Sequence, residues 1–281
     1  MHERRPHCAG YVNESQLPSV APGACRDAVN VVNRTVAVRP PPLIDDLLNP
    51  ATSSIWIFGY GSLIYRPGFS YRRRVEGYIE GFHRVWWQAS TDHRGTPEAP
   101  GRTVTLEAAA GARTWGVAWE LDGDLDTQLA TLQYLEVREK QYDVRQLVEV
   151  WGRPGQLDAP ASLPPPPSTQ PPFTPNAPSP MDTLMPATSG QVTQPAEHGL
   201  LLQRALCYIA SPANPNWLGP TTHAQLVAQV STACGPSGPN YEYVTRLAAA
   251  MRLMGVDDPE LFRLEADLRL TCPAAAAAPP T

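Results

Sequence analysis

No long apolar run, no basic tract and no cysteine framework occurs in this chain, and each absence narrows what it can be. No window reaches about 18 consecutive apolar residues, which argues against a membrane-spanning helix. Lysine is almost missing, since Lys140 is the only one, and the formal net charge is -5. With Arg72, Arg73 and Arg74 as the only tight basic cluster, there is no electrostatic footprint for nucleic acid or an anionic membrane. Cys8, Cys25, Cys207, Cys234 and Cys272 are odd in number and widely spaced, which favours free thiols in a reducing compartment over disulfides or a zinc site. The six histidines have no metal-ligand spacing. The first 50 residues carry Glu3, Glu14 and Asp27 and lack an apolar stretch after the early arginines, so a secretory signal does not fit. A cytoplasmic protein is the expectation, with an organelle transit peptide as the lesser alternative.

Proline is plentiful but uneven. Of 32 prolines, seven lie in residues 1 to 50, thirteen in 151 to 200 and three after Cys272. These stretches are also poor in large apolar residues and cannot offset the entropy of ordering. The expected organisation is therefore an extension over 1–54, one domain over 55–270 interrupted by a proline-rich insert at 152–202, and a tail at 271–281. The domain core, 55–151 plus 203–270, has an ordinary single-domain size.

Ile55 to Phe58 is a short apolar run closed by Gly59, which predicts a buried strand delivering a turn, Gly59-Tyr60-Gly61-Ser62-Leu63. Residues 75–90 are rich in aromatic and β-branched types broken by glycines, as in curved strands of a nearly closed sheet. Further strands are predicted at Arg102 to Leu106, Thr114 to Leu121, Val144 to Trp151 and Ala205 to Ala210. Leu125, Leu129, Leu132 and Leu135 mark a helix capped by Asp124 or Asp126. Helices are also predicted over 221–233, 241–254 and 259–270, with Asn240 and Asp258 as caps. Short strands followed by helices indicate an α+β domain.

Several segments carry candidate chemistry. The turn at 59–63 lacks the Gly-Lys-Ser/Thr of a phosphate loop, and Ile64 stands where a dinucleotide fingerprint needs its third glycine. It reads either as a tight turn or as a cradle of N–H groups for a carboxylate or oxyanion. Glu136 and Glu139 lie three apart at a helix end, where they share a face if the helix continues, suiting acid/base work or simple solvation. Asp92 and His93 are neighbours and so make a poor triad with Ser62. Ser90 to Gly95 reads as a polar loop that bonds its own backbone or a ligand carboxylate, which makes Ser90 and Arg94 candidates for substrate binding. Gly235 to Asn240 opens a helix bearing Tyr241 and Tyr243. A helix N-terminus attracts anions, and Tyr243 joins the substrate-binding candidates.

In order along the chain, Trp56 to Ile64, Gln88 to Gly95, Pro100 to Leu106, Trp115 to Ala118, Tyr134 to Lys140, Asn214 to Pro220 and Gly235 to Tyr243 resemble the ChaC-like, glutathione-specific γ-glutamylcyclotransferases. The resemblance implies a small mixed β-barrel with flanking helices. It implies an enzyme that converts glutathione to 5-oxoproline and cysteinylglycine without a cofactor. It also implies that Phe58, Gly59, Tyr60, Gly61, Ser62 and Leu63 bind the γ-glutamyl group and that Glu139 is the acid/base. Gln141 departs from the family, which often has two glycines after the lysine. Two rival readings remain: a cyclotransferase for other γ-glutamyl amino acids or amines, and a non-catalytic interaction module with proline-rich arms.

Overall fold

A computed structural model describes residues 44–157 and 198–272. Five strands close a barrel: β1 (Trp56–Gly59), β2 (Tyr71–Ser90), β3 (Gly101–Leu121), β4 (Val144–Gly152) and β5 (Gly199–Ile209), in the order β1-β3-β2-β4-β5. Neighbours are antiparallel except where β5 returns to β1, Ile57 opposite Leu206, and that parallel pair closes the sheet. The helices are α1 (Ile44–Leu47), α2 (Leu125–Arg138), α3 (His223–Thr232), α4 (Asn240–Leu253) and α5 (Pro259–Thr271). The α+β barrel expected from the sequence is the architecture found.

The four residues of β1 are all buried, which explains why they read as an unbroken apolar run. Successive side chains serve opposite cores. Trp56 and Phe58 join the main cluster with Val75, Ile79, Val104, Val117 and the apolar faces of α3, α4 and α5. Ile55 and Ile57 join a second cluster with Leu121, Leu206 and Leu135 of α2. Full burial of Leu135 alone is worth about 1.5–3 kcal/mol. Asp124 caps α2 by accepting from Thr127 N at 2.9 Å, and Gln128 accepts from Ile55 N at 3.0 Å. The first turn of α2 is thus tied to the start of β1.

Two of the predicted strands, 102–106 and 114–121, are one strand in the structure. β2 and β3 form a single long hairpin whose register slips between Glu80 and Phe82. Gly81 and Gly111 take φ values of 81° and 75° there, and these left-handed bends curve both strands without ending them. Asn240 is not a cap. Pro239 precedes α4, and the Asn240 side chain turns inward to the backbone of Arg102. Asp258 does cap α5, accepting from Leu261 N at 3.1 Å. Thr222, which the sequence reading passed over, makes a reciprocal capping box with Gln225.

The described structure includes residues before 55. Leu48 bridges Ile55, and buried Asn49 donates to Arg204 O at 3.2 Å. Likewise β5 starts at Gly199, inside the stretch assigned to the insert, because Trp151 pairs with Leu200 and Gly152 with Gly199. Residues 1–43, 158–197 and 273–281, which hold most of the expected extension, insert and tail, lie outside the described residues. Among the described cysteines, Cys207, Cys234 and Cys272 are free. No helix of the described residues is long and apolar enough to cross a membrane.

Candidate active site

β1 ends at Gly59, and the chain turns through Tyr60 and Gly61 into one 3-10 turn, Ser62–Ile64. Close packing requires both glycines. A Cβ on Gly59 would stand 2.5 Å from Leu63 Cβ, and one on Gly61 would stand 2.7 Å from the Tyr243 hydroxyl. The turn is held from three sides. Ile64 N donates to Gly61 O at 3.0 Å, Arg66 N donates to Ser62 O at 2.8 Å, and the Trp119 indole donates to Leu63 O at 3.0 Å. The Tyr60 hydroxyl donates to Tyr208 O at 2.7 Å, tying the turn to β5. Backbone N–H groups at the start of such a turn have no acceptor within it.

Helix α2 stops at Arg138, and Glu139 is its C-cap, with Glu139 N bonded to Leu135 O at 2.7 Å. The chain then bends so that the Glu139 side chain lines the same pocket as Phe58, Gly59, Tyr60, Gly61, Ser62 and Leu63, together with Tyr142 and Tyr208. Its side chain is 11% exposed, and its one ion pair is with Arg138 Nε at 3.1 Å. Burial raises the carboxyl above its ordinary range, against the lesser opposing pull of Arg138. Arg138 is fixed in turn, donating to Pro67 O and to Arg66 O. The two glutamates at the helix end therefore separate. The Glu136 side chain is 47% exposed and pairs with Arg145 and the Tyr208 hydroxyl.

The loop that carries Glu139 is pinned on its far side. Gln141 donates from its amide to Thr91 Oγ1 at 2.9 Å, while Gln141 O accepts from Gln88 at 2.8 Å and from Asn214 at 2.7 Å. Lys140 pairs with Asp92 at 3.1 Å. The glutamine found where relatives often have glycine thus clamps this loop to the barrel.

Not every candidate reaches the pocket. Ser90 is buried and accepts from Arg94 N at 2.9 Å. Arg94 donates to Pro239 O and Glu242, both at 3.0 Å. Both residues belong to a seam where loop 91–100 packs on 234–240. There a Cβ on Gly95 would meet Gly101 N at 2.1 Å, and one on Gly235 would meet His93 O at 2.4 Å. Tyr243 is buried with its hydroxyl against Gly61, beneath the cradle. His93 and Asp92 sit by Ser237 and Lys140 in this seam region, and neither lines the pocket with Ser62.

Tyr142 and Tyr208 line the pocket and were missed by the sequence reading. Tyr142 donates to Val104 O at 3.0 Å, and burial raises both hydroxyls well above their usual range, which keeps them protonated. Proximity to the Glu139 motif was the only signal for Tyr142, and Tyr208 gave none beyond strand alternation. Cys207 is buried, and that burial, helped by Glu139, pushes its thiol up, so it offers no thiolate nucleophile. Among the described residues no group of three or more His, Cys, Asp or Glu is placed to hold a metal ion.

A closed mixed barrel, with a carboxyl facing a glycine turn at the end of its first strand, is the γ-glutamylcyclotransferase-like architecture. A family model described as ChaC-like protein matches residues 55–270, and the chain belongs to that family. It is 38% identical over 221 residues to a zebrafish (Danio rerio) protein named glutathione-specific gamma-glutamylcyclotransferase 1, covering 78% of this chain and 91% of that one. It is 35% identical over 202 residues to the human protein of the same name, covering 72% of each. The solved structure of a yeast γ-glutamyl cyclotransferase specific to glutathione superimposes with a TM-score of 0.58 at 26% identity, covering 78% of this chain and 97% of that one.

Proposed function

We propose that this protein is a γ-glutamylcyclotransferase acting on glutathione, with Glu139 as the acid/base and 5-oxoproline and cysteinylglycine as products. The observation that carries the reading is the shared pocket: the buried Glu139 carboxyl and the residues of the 58–63 turn line one cavity. The names of the zebrafish, human and yeast relatives supply the substrate.

The chemistry asks little of the protein, because a γ-glutamyl peptide holds its own nucleophile. Its α-amine closes on the γ-carbonyl carbon to form a five-membered lactam, and the C–N bond to cysteinylglycine breaks. Holding both groups within one molecule supplies several kcal/mol of effective molarity, so no serine or cysteine nucleophile is needed. At neutral pH the α-amine is protonated. Glu139 takes that proton and returns one to the departing nitrogen, and a carboxyl raised by burial is suited to both transfers. As the amine attacks, charge grows on the γ-carbonyl oxygen. N–H groups of the 59–63 turn face that charge, each worth roughly 3–4 kcal/mol when well placed. Arg138 keeps the carboxyl oriented through Nε while its two terminal nitrogens donate to the carbonyls of Pro67 and Arg66.

The test is to incubate pure protein with glutathione, without added metal or nucleotide, and to measure 5-oxoproline. Release of 5-oxoproline by the parent, together with its loss in Glu139→Gln, supports the reading. No product from the parent, or undiminished release by the variant, overturns it. γ-Glutamylalanine in parallel separates the glutathione reading from the broader γ-glutamyl one.

A further inference from the structure

Beside the pocket, beyond the glycine turn, the structure gathers more positive charge than it neutralises. Arg138 and Arg94 are anchored, the first to Glu139 and to the carbonyls of Arg66 and Pro67, the second to Glu242 and Pro239 O. Arg246 reaches only the same Glu242, at 4.0 Å. Arg66 is half-buried and makes no ion pair or side-chain hydrogen bond among the described residues. Three guanidiniums thus share two carboxylates, one of which, Glu139, is the proposed proton carrier, and Arg66 pairs with neither.

A second, independent observation points to the same place. The Tyr65 hydroxyl is buried with no hydrogen-bond partner, in a side chain that is only 6% exposed. Its ring meets Tyr243 edge-on, centroids 6.5 Å apart, and the Tyr243 hydroxyl abuts Gly61 of the turn. The orphan donor therefore lies one ring away from the cradle. Arg66 is the chain neighbour of Tyr65 and Arg138 donates to Arg66 O at 2.7 Å, so two of the guanidinium-bearing residues meet at this turn; burial raises the hydroxyl, against the lesser pull of the nearby arginines. Leaving a buried donor unmade and like charges crowded both cost stability. An anion between them relieves both costs at once.

We infer that Arg66 and the Tyr65 hydroxyl form a carboxylate subsite beside the cradle, where one of the two carboxylates of a γ-glutamyl peptide such as glutathione docks. The inference rests on the proposed cyclotransferase reading and names a residue pair that fixes how the substrate lies. Guanidinium-to-carboxylate contacts are charge-assisted and directional, so they hold an extended peptide in one orientation. Neither side chain touches the reacting atoms. Arg66 and Tyr65 are positioning residues.

The test is steady-state kinetics of the full chain with glutathione and with its glycine ethyl ester, in which the C-terminal carboxylate is masked. Arg66→Gln is expected to raise KM for glutathione about 10- to 100-fold, the range of a lost charged hydrogen bond, with kcat within about threefold of the parent. Tyr65→Phe is expected to raise KM about threefold, and Arg66→Lys to recover part of the loss. If the ester is insensitive to Arg66→Gln, the docked group is the C-terminal carboxylate. If the ester suffers equally, it is the α-carboxylate of the glutamyl residue. KM values within twofold of the parent for both variants on both substrates would overturn the subsite. So would a loss confined to kcat or to thermal stability. A parent that makes no 5-oxoproline from either substrate sinks the cyclotransferase reading instead, which keeps the two failures apart.

Discussion

Two polar regions of this protein, both rich in the family's motif residues, use their hydrogen-bonding groups in opposite ways. In the seam between 91–100 and 234–240 nearly all donors and acceptors are matched within the chain, the buried Asp92 Oδ1 being the exception. Asn240 is fully buried and gives both ends of its amide to the backbone of Arg102, at 2.6 and 2.9 Å. Ser90 takes Arg94 N, and Ser237 N donates to His93 O at 2.9 Å. At the pocket, by contrast, Glu139 is buried with a single charged partner, Arg66 has none among the described residues, and the Tyr65 hydroxyl is unmatched. A saturated network specifies a fold, whereas an unsaturated one beside a cavity waits for a ligand. Presence in a motif does not distinguish the two, but the state of the polar groups does.

The sharpest way to test that contrast is Glu139→Gln. Removing the proposed proton carrier is expected to lower kcat by about 10²–10⁴-fold while glutathione still binds, measured by 5-oxoproline release and by calorimetric titration of substrate. In the parent, kcat is expected to rise with pH as Glu139 loses its proton, with a midpoint above the ordinary value of 4.5 because burial raises the group. Stability must move the opposite way. A carboxyl whose folded pKa is raised binds more protons in the fold than in the unfolded chain, so stability falls as pH climbs from about 4.5 through the raised value. The glutamine variant lacks that decline. Its melting temperature is expected to exceed the parent's at pH 7 and to match it most nearly below pH 4.5. A parent whose stability did not fall over that window would show that Glu139 is not desolvated.

In the seam, Asn240→Ala should do the reverse, harming the fold and sparing the chemistry. It strands the buried N–H and C=O of Arg102, at about 1–3 kcal/mol for each unsatisfied group. A fall in denaturant midpoint with kcat per folded molecule unchanged is the expected result. An intact midpoint with reduced kcat would move Asn240 from scaffold to site.

Much of this division was hidden from the sequence for identifiable reasons. Most strand segments and four helices were readable because periodicity and caps are local: Asp124 and Asp258 act where their positions suggest. The turn at 59–63 and Glu139 were readable as motifs, though neither alone told chemistry from an ordinary turn or a solvated helix end. What local pattern does not encode is which distant segments meet. Ser90 and Arg94 resembled ligand residues because they are polar and loop-borne, yet their partners lie 145 and 148 residues further on for Arg94 and within the same loop for Ser90. Arg66 follows the turn by a few residues and reads as an ordinary surface arginine. It stands out only once Arg138 is brought against its carbonyl and its own side chain is left without an ion pair among the described residues.

Ser62→Ala probes the pocket more gently. The hydroxyl is one donor among several in the turn, so the expected loss of kcat is about tenfold, below the roughly 100-fold of a donor that acts without substitutes. A loss equal to that of Glu139→Gln would make the hydroxyl, rather than the backbone N–H groups, the main stabiliser of the developing charge.

The smallest effect is expected where chain length changes most. β4 and β5 pair, through two register shifts, as far as Gly152 opposite Gly199, and Gln156 accepts from Glu76 N at 3.1 Å, so the barrel is complete at residues 157 and 198. Replacing residues 158–197 with a short Gly/Ser linker removes no described contact of the pocket or of the seam. Closing a shorter loop costs less entropy, roughly 0.6 kcal/mol for each halving, so stability is expected to hold or to rise by about 1 kcal/mol. Cyclotransferase kcat/KM is expected to stay within about twofold of the parent. A larger drop in activity with the melting temperature preserved would extend the pocket to the replaced segment, and the contrast between saturated scaffold and unsaturated site would need a third region.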